Sequence, residues 1–127
     1  DVHLFERLAF LAQADRLDND MSHSVPRLMQ HLNGPKKALL GPWIHKYPHF
    51  AVPNPAIGFL QEAKRWWDHW LKGIDNGVMD DAACTFYLQD VLPPRGSYAE
   101  RPGIWVQTAG WPDPQVQGSF RPGRSSA

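Results

Sequence analysis

One stretch, Lys37-Ala38-Leu39-Leu40-Gly41-Pro42-Trp43-Ile44-His45, constrains this chain more than any other. Lys37 to Leu40 reads as a short buried strand, and Gly41-Pro42 breaks it abruptly, because proline has no N–H to give to a ladder. Open α/β sheets keep their chemistry just beyond the C-terminal ends of their strands. The spacing therefore places His45 in a loop at a strand end. From His45 to Pro55 the loop carries three prolines, Pro48, Pro53 and Pro55, and is too stiff to be a random linker. A helix is expected from about Ala56 to Lys72. Its apolar positions Phe59, Leu60, Ala63, Trp66, Trp67, Trp70 and Leu71 cover a broad face, while Glu62, Lys64, Arg65, Asp68 and Lys72 lie mostly elsewhere. Gly73 is a natural terminator for that helix.

Upstream, Leu4, Phe5, Leu8, Leu11 and Ala12 recur at helical spacing, and an amphipathic helix is expected over Val2 to Ala14. Asp15 to Asp20 is polar and reads as a loop. Ser22 or Ser24 can cap a following helix that has Pro26 in its first turn, with Leu28, Met29 and Leu32 inward and Asn33-Gly34-Pro35 as the stop. Asp75-Asn76-Gly77 makes a turn and Asp80-Asp81 a polar junction. After Ala82 the pattern changes. Thr85-Phe86-Tyr87-Leu88 and Gly103-Ile104-Trp105-Val106-Gln107 are strand-like, separated by a loop containing Pro93-Pro94-Arg95-Gly96-Ser97. From Trp111 onward Pro, Gly, Ser and Gln dominate, and a loose tail is expected. Two strands cannot form an independently stable β domain. The division expected is 1–81 as one unit and 82–127 as the opening of a second.

Composition sets outer limits. The 127 residues are 43% hydrophobic and 12% aromatic, enough for a packed core. Thirteen basic and thirteen acidic residues give a formal net charge of +0, which leaves no electrostatic footprint for nucleic acid or an anionic membrane surface. No apolar run approaches the roughly 20 residues that span a bilayer. The opening Asp1-Val2-His3-Leu4-Phe5-Glu6-Arg7 mixes acid and base and does not read as a signal peptide. Cys84 is the only cysteine and precedes a strand-like run, so it reads as a small buried hydrophobe. No internal disulfide can form, and cytoplasm is favoured over an oxidising compartment without the localisation being fixed. His49 follows His45 by four residues, but Pro48 between them denies the helical pairing that a metal would use. No metal and no cofactor is expected.

The residues Ser24-Val25-Pro26-Arg27-Leu28 and Gly41-Pro42-Trp43-Ile44-His45-Lys46-Tyr47-Pro48-His49-Phe50 resemble serine hydrolases of the CocE/NonD type, the cocaine-esterase-like relatives of Xaa-Pro dipeptidyl-peptidases. Arg65-Trp66-Trp67-Asp68-His69-Trp70-Leu71-Lys72-Gly73-Ile74-Asp75-Asn76-Gly77-Val78-Met79-Asp80 is similar to the family's last hydrolase-domain helix and the segment after it. Tyr98-Ala99-Glu100-Arg101-Pro102-Gly103 and Trp105 resemble the start of its C-terminal jelly-roll domain. The likeness runs from about Ser22 to Pro112. It implies an α/β fold: residues 1–81 the C-terminal portion of an α/β-hydrolase domain, residues 82–127 the truncated start of a jelly-roll β-sandwich.

The resemblance also implies a Ser-His-Asp triad acting by acyl transfer on ester or X-Pro peptide bonds of small-molecule or peptide substrates. The triad base falls on His45. A serine hydroxyl is a poor nucleophile until an imidazole takes its proton, and an acid must hold that imidazole in one tautomer. The family's acid, in a Gly-Gly-Trp-x-Asp turn, falls on Asn19 with Leu17 in place of tryptophan; Asp18 and Asp20 flank it and are the candidate acids. The family has a buried strand where Val2 to Asp15 reads as a helix. The G-x-S-x-G nucleophile elbow is absent: Ser97 has Gly96 before it but no glycine two residues on, and it follows the histidine in the chain. The chain is thus expected to be a C-terminal piece of such an enzyme, carrying the base without the serine and inactive alone. Its uncovered aromatic helix favours a homo-oligomer. The competing reading is a non-catalytic interaction or carbohydrate-binding module, with Trp66, Trp67 and Trp70 as a stacking platform. The bland reading of those indoles is packing onto the sheet, and His69 between them reads as structural.

Overall fold

The computed structural model describes residues 9–14, 24–43 and 46–115. Their elements, in chain order, are β1 (Ala9–Ala14), α1 (Ser24–His31), β2 (Lys36–Gly41), α2 (Phe59–Lys72), β3 (Cys84–Gln89) and β4 (Gly103–Thr108). The helix expected over Val2 to Ala14 gives way, in its described part, to strand β1. Ala-Phe-Leu-Ala-Gln-Ala is short and has no committed period, so a neighbouring strand decides its state. That neighbour is β2, which pairs with it in parallel from Ala9↔Lys36 to Ala14↔Gly41.

The four strands form one sheet in the order β1-β2-β3-β4. β2 and β3 are also parallel, through Ala38↔Cys84 to Leu40↔Phe86, and β3 and β4 are antiparallel. The sheet therefore runs on past residue 81, with β3 hydrogen-bonded to β2 and β4 to β3. Each parallel connection contains a helix, as such a crossover requires. β2 is covered on both sides, which is why its Ala38 and Gly41 are buried.

The pleat of β2 shows where the helices lie. Ala38 clusters with Val25 and Met29 of α1 and with Cys84 of β3, with Leu40, Ala83, Phe86 and Trp111 packed around them. Val25 and Met29 are four residues apart and form the inner face of α1; Leu28, expected inward, is instead 39% exposed. Lys36 Nζ donates to Leu32 O at 2.7 Å, satisfying a carbonyl just beyond the end of that helix. Lys37 points to the opposite side of the pleat. There its ammonium meets Asp81 Oδ2 at 2.6 Å and Glu62 Oε2 of α2 at 3.6 Å. The helices α1 and α2 thus lie on opposite faces of the sheet.

Helix α2 begins at Phe59, three residues later than expected, and ends at Gly73, which adopts the left-handed conformation at φ 68°. Gly73 N–H donates to His69 O and Ile74 N–H to Asp68 O, closing the last turn. Lys64 and Lys72 bracket Asp68 on the same helix face and hold its carboxyl below the usual range through their hydrogen bonds. Beyond the helix, Asn76 Nδ2 donates to Arg65 O at 2.8 Å, folding the 74–78 turn back onto α2 and burying Val78.

Arg65 completes the cluster around Lys37, reaching Asp81 at 3.0 Å and Glu62 at 3.3 Å. Burial by itself would raise the Asp81 carboxyl, but the hydrogen bonds and charges of Lys37 and Arg65 outweigh it and hold it below the usual range. A depressed carboxylate contributes stability above its unfolded value and loses it as pH falls through the folded one. Asp81→Asn is expected to cost about 1–2 kcal/mol at neutral pH, discounted because the Asp81 side chain is 35% exposed. That difference should begin to shrink as pH falls below about 4, where the unfolded carboxyl takes up its proton, and go on shrinking as the folded one follows. Urea unfolding of both proteins across pH checks this; a constant gap would contradict it.

Candidate functional site

Two parallel strands that end together define the place to look. The last β1–β2 pair is Ala14↔Gly41, so the chain leaves both strands at one level, from neighbouring positions in the sheet. Neighbouring strands stand about 4.8 Å apart. Asp18, Asn19 and Asp20 follow β1 by four to six residues, and His45 follows β2 by four. All four of these residues, and Leu17 with them, lie outside the described residues. Only the supports on either side of them are described.

The support after β2 is Gly41-Pro42-Trp43. All three residues are buried, and Trp43 is fully so. The Trp43 indole donates from Nε1 to Pro55 O at 2.8 Å and lies 6.2 Å from the Trp105 ring of β4. It folds back over Gly41 so closely that a Cβ on that residue would stand 2.5 Å from the ring. Glycine is required at the strand end because an indole occupies the place of its side chain. Sequence reasoning took Gly41 as a breaker; its role as a seat for Trp43 depends on a contact that no spacing rule contains.

The loop that carries the chain away from the strand end is held at several points. Phe50 and Ala51 donate to Tyr47 O, and Ile57 donates to Pro48 O. Asn54 donates to Ala99 O at 2.8 Å and accepts from Arg101 N–H at 3.0 Å, tying the loop to the approach of β4. Pro48, Ala51 and Pro53 are buried. The stiffness expected from the prolines is thus joined by main-chain bonds to a distant segment.

His49 sits in an aromatic nest within this loop. Its ring is parallel to Phe59 at 6.2 Å, edge-on to Phe50 at 4.5 Å, and near Tyr47 at 6.0 Å. Its Nδ1 is buried without a hydrogen-bond partner among the described residues. No group of three or more potential metal ligands occurs among the described residues. His69 Nδ1 lies 3.0 Å from Ile74 O, and since that carbonyl only accepts, the nitrogen there is the donor. This fixes the ring at the end of α2.

The tryptophans of α2 divide. Trp66 is buried, Trp70 is half-buried and 5.9 Å from it, and Trp67 is 41% exposed. A flat stacking platform needs neighbouring indole faces open to solvent. Here Trp66 is turned inward. Cys84 is fully buried, and burial pushes its thiol up, against the hydrogen bond to Thr108. It is a core residue of low reactivity, since the thiolate is the nucleophile.

No family model matches this chain, and neither a curated protein nor a solved structure matches it. No described helix is long and apolar enough to cross a membrane.

Replacing Gly41 by alanine should displace the Trp43 indole and cost about 1–3 kcal/mol, the usual range for overpacking. Denaturant unfolding measures the loss. Pairing G41A with Trp43→Ala should make it smaller than in G41A alone, because the obstructing ring is then gone. Equal effects in both backgrounds would exclude the contact.

Proposed function

We propose that this chain carries the proton-transfer half of a serine hydrolase of the CocE/NonD type, with His45 as general base and Asp18 or Asp20 as the acid that orients it. The observation that carries this reading is the in-register ending of β1 and β2. A base and its orienting acid must meet within hydrogen-bond reach, and neighbouring parallel strands with short exit loops are a direct way to bring them there. β1 supports the reading further: it puts a strand ahead of the acidic loop, as the family pattern requires.

Such a site works by acyl transfer. The imidazole takes the proton of a serine hydroxyl as that oxygen attacks an ester or X-Pro amide carbonyl, then returns it to the leaving alcohol or amine. The carboxylate holds the imidazole in the tautomer whose free nitrogen faces the hydroxyl. The serine must come from outside these 127 residues, since no G-x-S-x-G occurs among them. Under this reading residues 1–81 correspond to the end of an α/β-hydrolase domain and 82–127 to the start of a jelly-roll domain.

Two measurements test the proposal. The His45 ring N–H shared with a carboxylate should give a proton resonance far downfield of the amides. That signal should vanish in His45→Gln and in one of Asp18→Asn and Asp20→Asn, with the amide spectrum otherwise preserved. Its absence from the unmodified protein, or its survival in both aspartate variants, would sink the acid–base pairing. The chain alone should hydrolyse p-nitrophenyl acetate no faster than His45→Ala; a His45-dependent rate would mean that it holds its own nucleophile.

A further inference from the structure

We propose that the fold sorts two chemically equivalent Asn-Gly pairs into an open and a latched modification site. Asn33-Gly34 deamidates in the native protein, whereas Asn76-Gly77 deamidates only when its turn lets go of α2. These are the two Asn-Gly pairs of the chain. The reaction needs water and hydroxide and no enzyme. The glycine's main-chain nitrogen, having lost its proton to hydroxide, attacks Cγ of the preceding asparagine. An N–Cγ bond forms, the Cγ–Nδ2 bond breaks, and Nδ2 leaves as ammonia with a proton from water. Water then opens the five-membered imide at either carbonyl, giving aspartate or isoaspartate. Glycine obstructs the attack least, because it has no Cβ beside the nitrogen.

The two pairs differ in what holds the side-chain amide. Asn33 lies between the end of α1 and the start of β2. It is exposed, as is Gly34, which turns with φ 100°. The Asn33 amide has no hydrogen-bond partner among the described residues. Asn76 is half-buried and held at both ends: Nδ2 donates to Arg65 O at 2.8 Å, and Oδ1 accepts from Val78 N–H at 3.2 Å. To form the imide, Nδ2 must leave the Arg65 carbonyl and Cγ must swing onto Gly77 N. That movement takes the acceptor from Val78 N–H, and Val78 is 2% exposed, so the turn has to open. Gly77 O accepts from Asp80 N–H at 3.1 Å, which fixes the glycine's own place in the turn. Charge acts in the same direction. Asp75 and Asp80 flank Asn76 in sequence and oppose an anionic nitrogen at Gly77. Lys36, whose Nζ is bonded to Leu32 O, favours one at Gly34.

The products differ as well. At position 33 the new carboxylate enters solvent. At position 76 a carboxylate oxygen would face Arg65 O where a donor stood, setting two acceptors against each other in a half-buried turn. The latch cannot re-form, and the cover over Val78 is weakened. Deamidation of Asn76 is therefore a one-way release of the turn that leads from α2 to Asp81, the partner of Lys37.

Incubating the full chain in mildly alkaline buffer, with and without urea, and following each pair by peptide mass spectrometry tests this. Without urea, Asn33 should convert about tenfold or more faster than Asn76. In unfolding urea Asn76 should accelerate, and the two rates should come within a few-fold of each other. Asn33→Gln, whose imide would need a larger ring, should abolish the fast conversion and leave the circular dichroism unchanged. Val78→Ala should speed conversion of Asn76 in the native protein without affecting Asn33. Asn76→Asp, the product itself, should lower the urea midpoint, while Asn33→Asp should not. Equal rates at the two pairs without urea would overturn the proposal, as would an Asn76 rate indifferent to urea or an unchanged midpoint in Asn76→Asp. An Asn33 that converts in urea but stays intact in the native protein would overturn it too. If Val78→Ala fails to fold, the two rates in the unmodified chain decide the matter.

Discussion

A lysine on a buried strand needs a counter-charge, and that requirement organises the middle of this protein. Lys37 sits on β2 with its side chain 11% exposed, where an unpaired ammonium would be strongly disfavoured. The Lys37 cluster joins three separate stretches of sequence: Asp81 in the junction after α2, and Glu62 and Arg65 on α2 itself. On α2 itself Trp66 is buried, while Leu60, Trp67 and Leu71 are exposed.

The opposite face of the sheet is held differently. Val25, Met29, Ala38 and Cys84 form a small apolar cluster, and α1 rests on it. One strand thus carries two kinds of contact, apolar through Ala38 and ionic through Lys37. β2 cannot slip by one residue against β1 without exchanging them. The register so fixed sets the level at which both strands end. Trp43 then turns the chain sharply over Gly41 and anchors the outgoing loop on Pro55.

Much of this could be read from residue order. The strand before Gly41, the stop at Gly73 and the two late strands follow from local chemistry: a proline that breaks a ladder, a glycine free to take positive φ, and β-branched and aromatic runs between turns. Two features were not legible. The first segment reads as a helix because Leu8, Leu11 and Ala12 happen to fall at helical spacing; its strand state comes from β2, a partner over 20 residues away. Asp80-Asp81 reads as a polar junction; that Asp81 is also the tether of Lys37 was not legible, because Lys37 is far away in sequence and its need for a partner has no local sign. For the site, residue types and their flanks suggested His45 and the neighbouring acids. The in-register ending of β1 and β2 is a property of pairing, which no single segment records.

Cys84 offers a clock. Its sulfur lies at the centre of the sheet, between β2 and β4 and beneath α1, and burial keeps the thiol protonated. An alkylating reagent can reach it only when α1 lifts from the sheet or the sheet itself opens. The speed at which such a reagent consumes this lone sulfhydryl therefore counts how often that core is uncovered, without any probe having to be introduced.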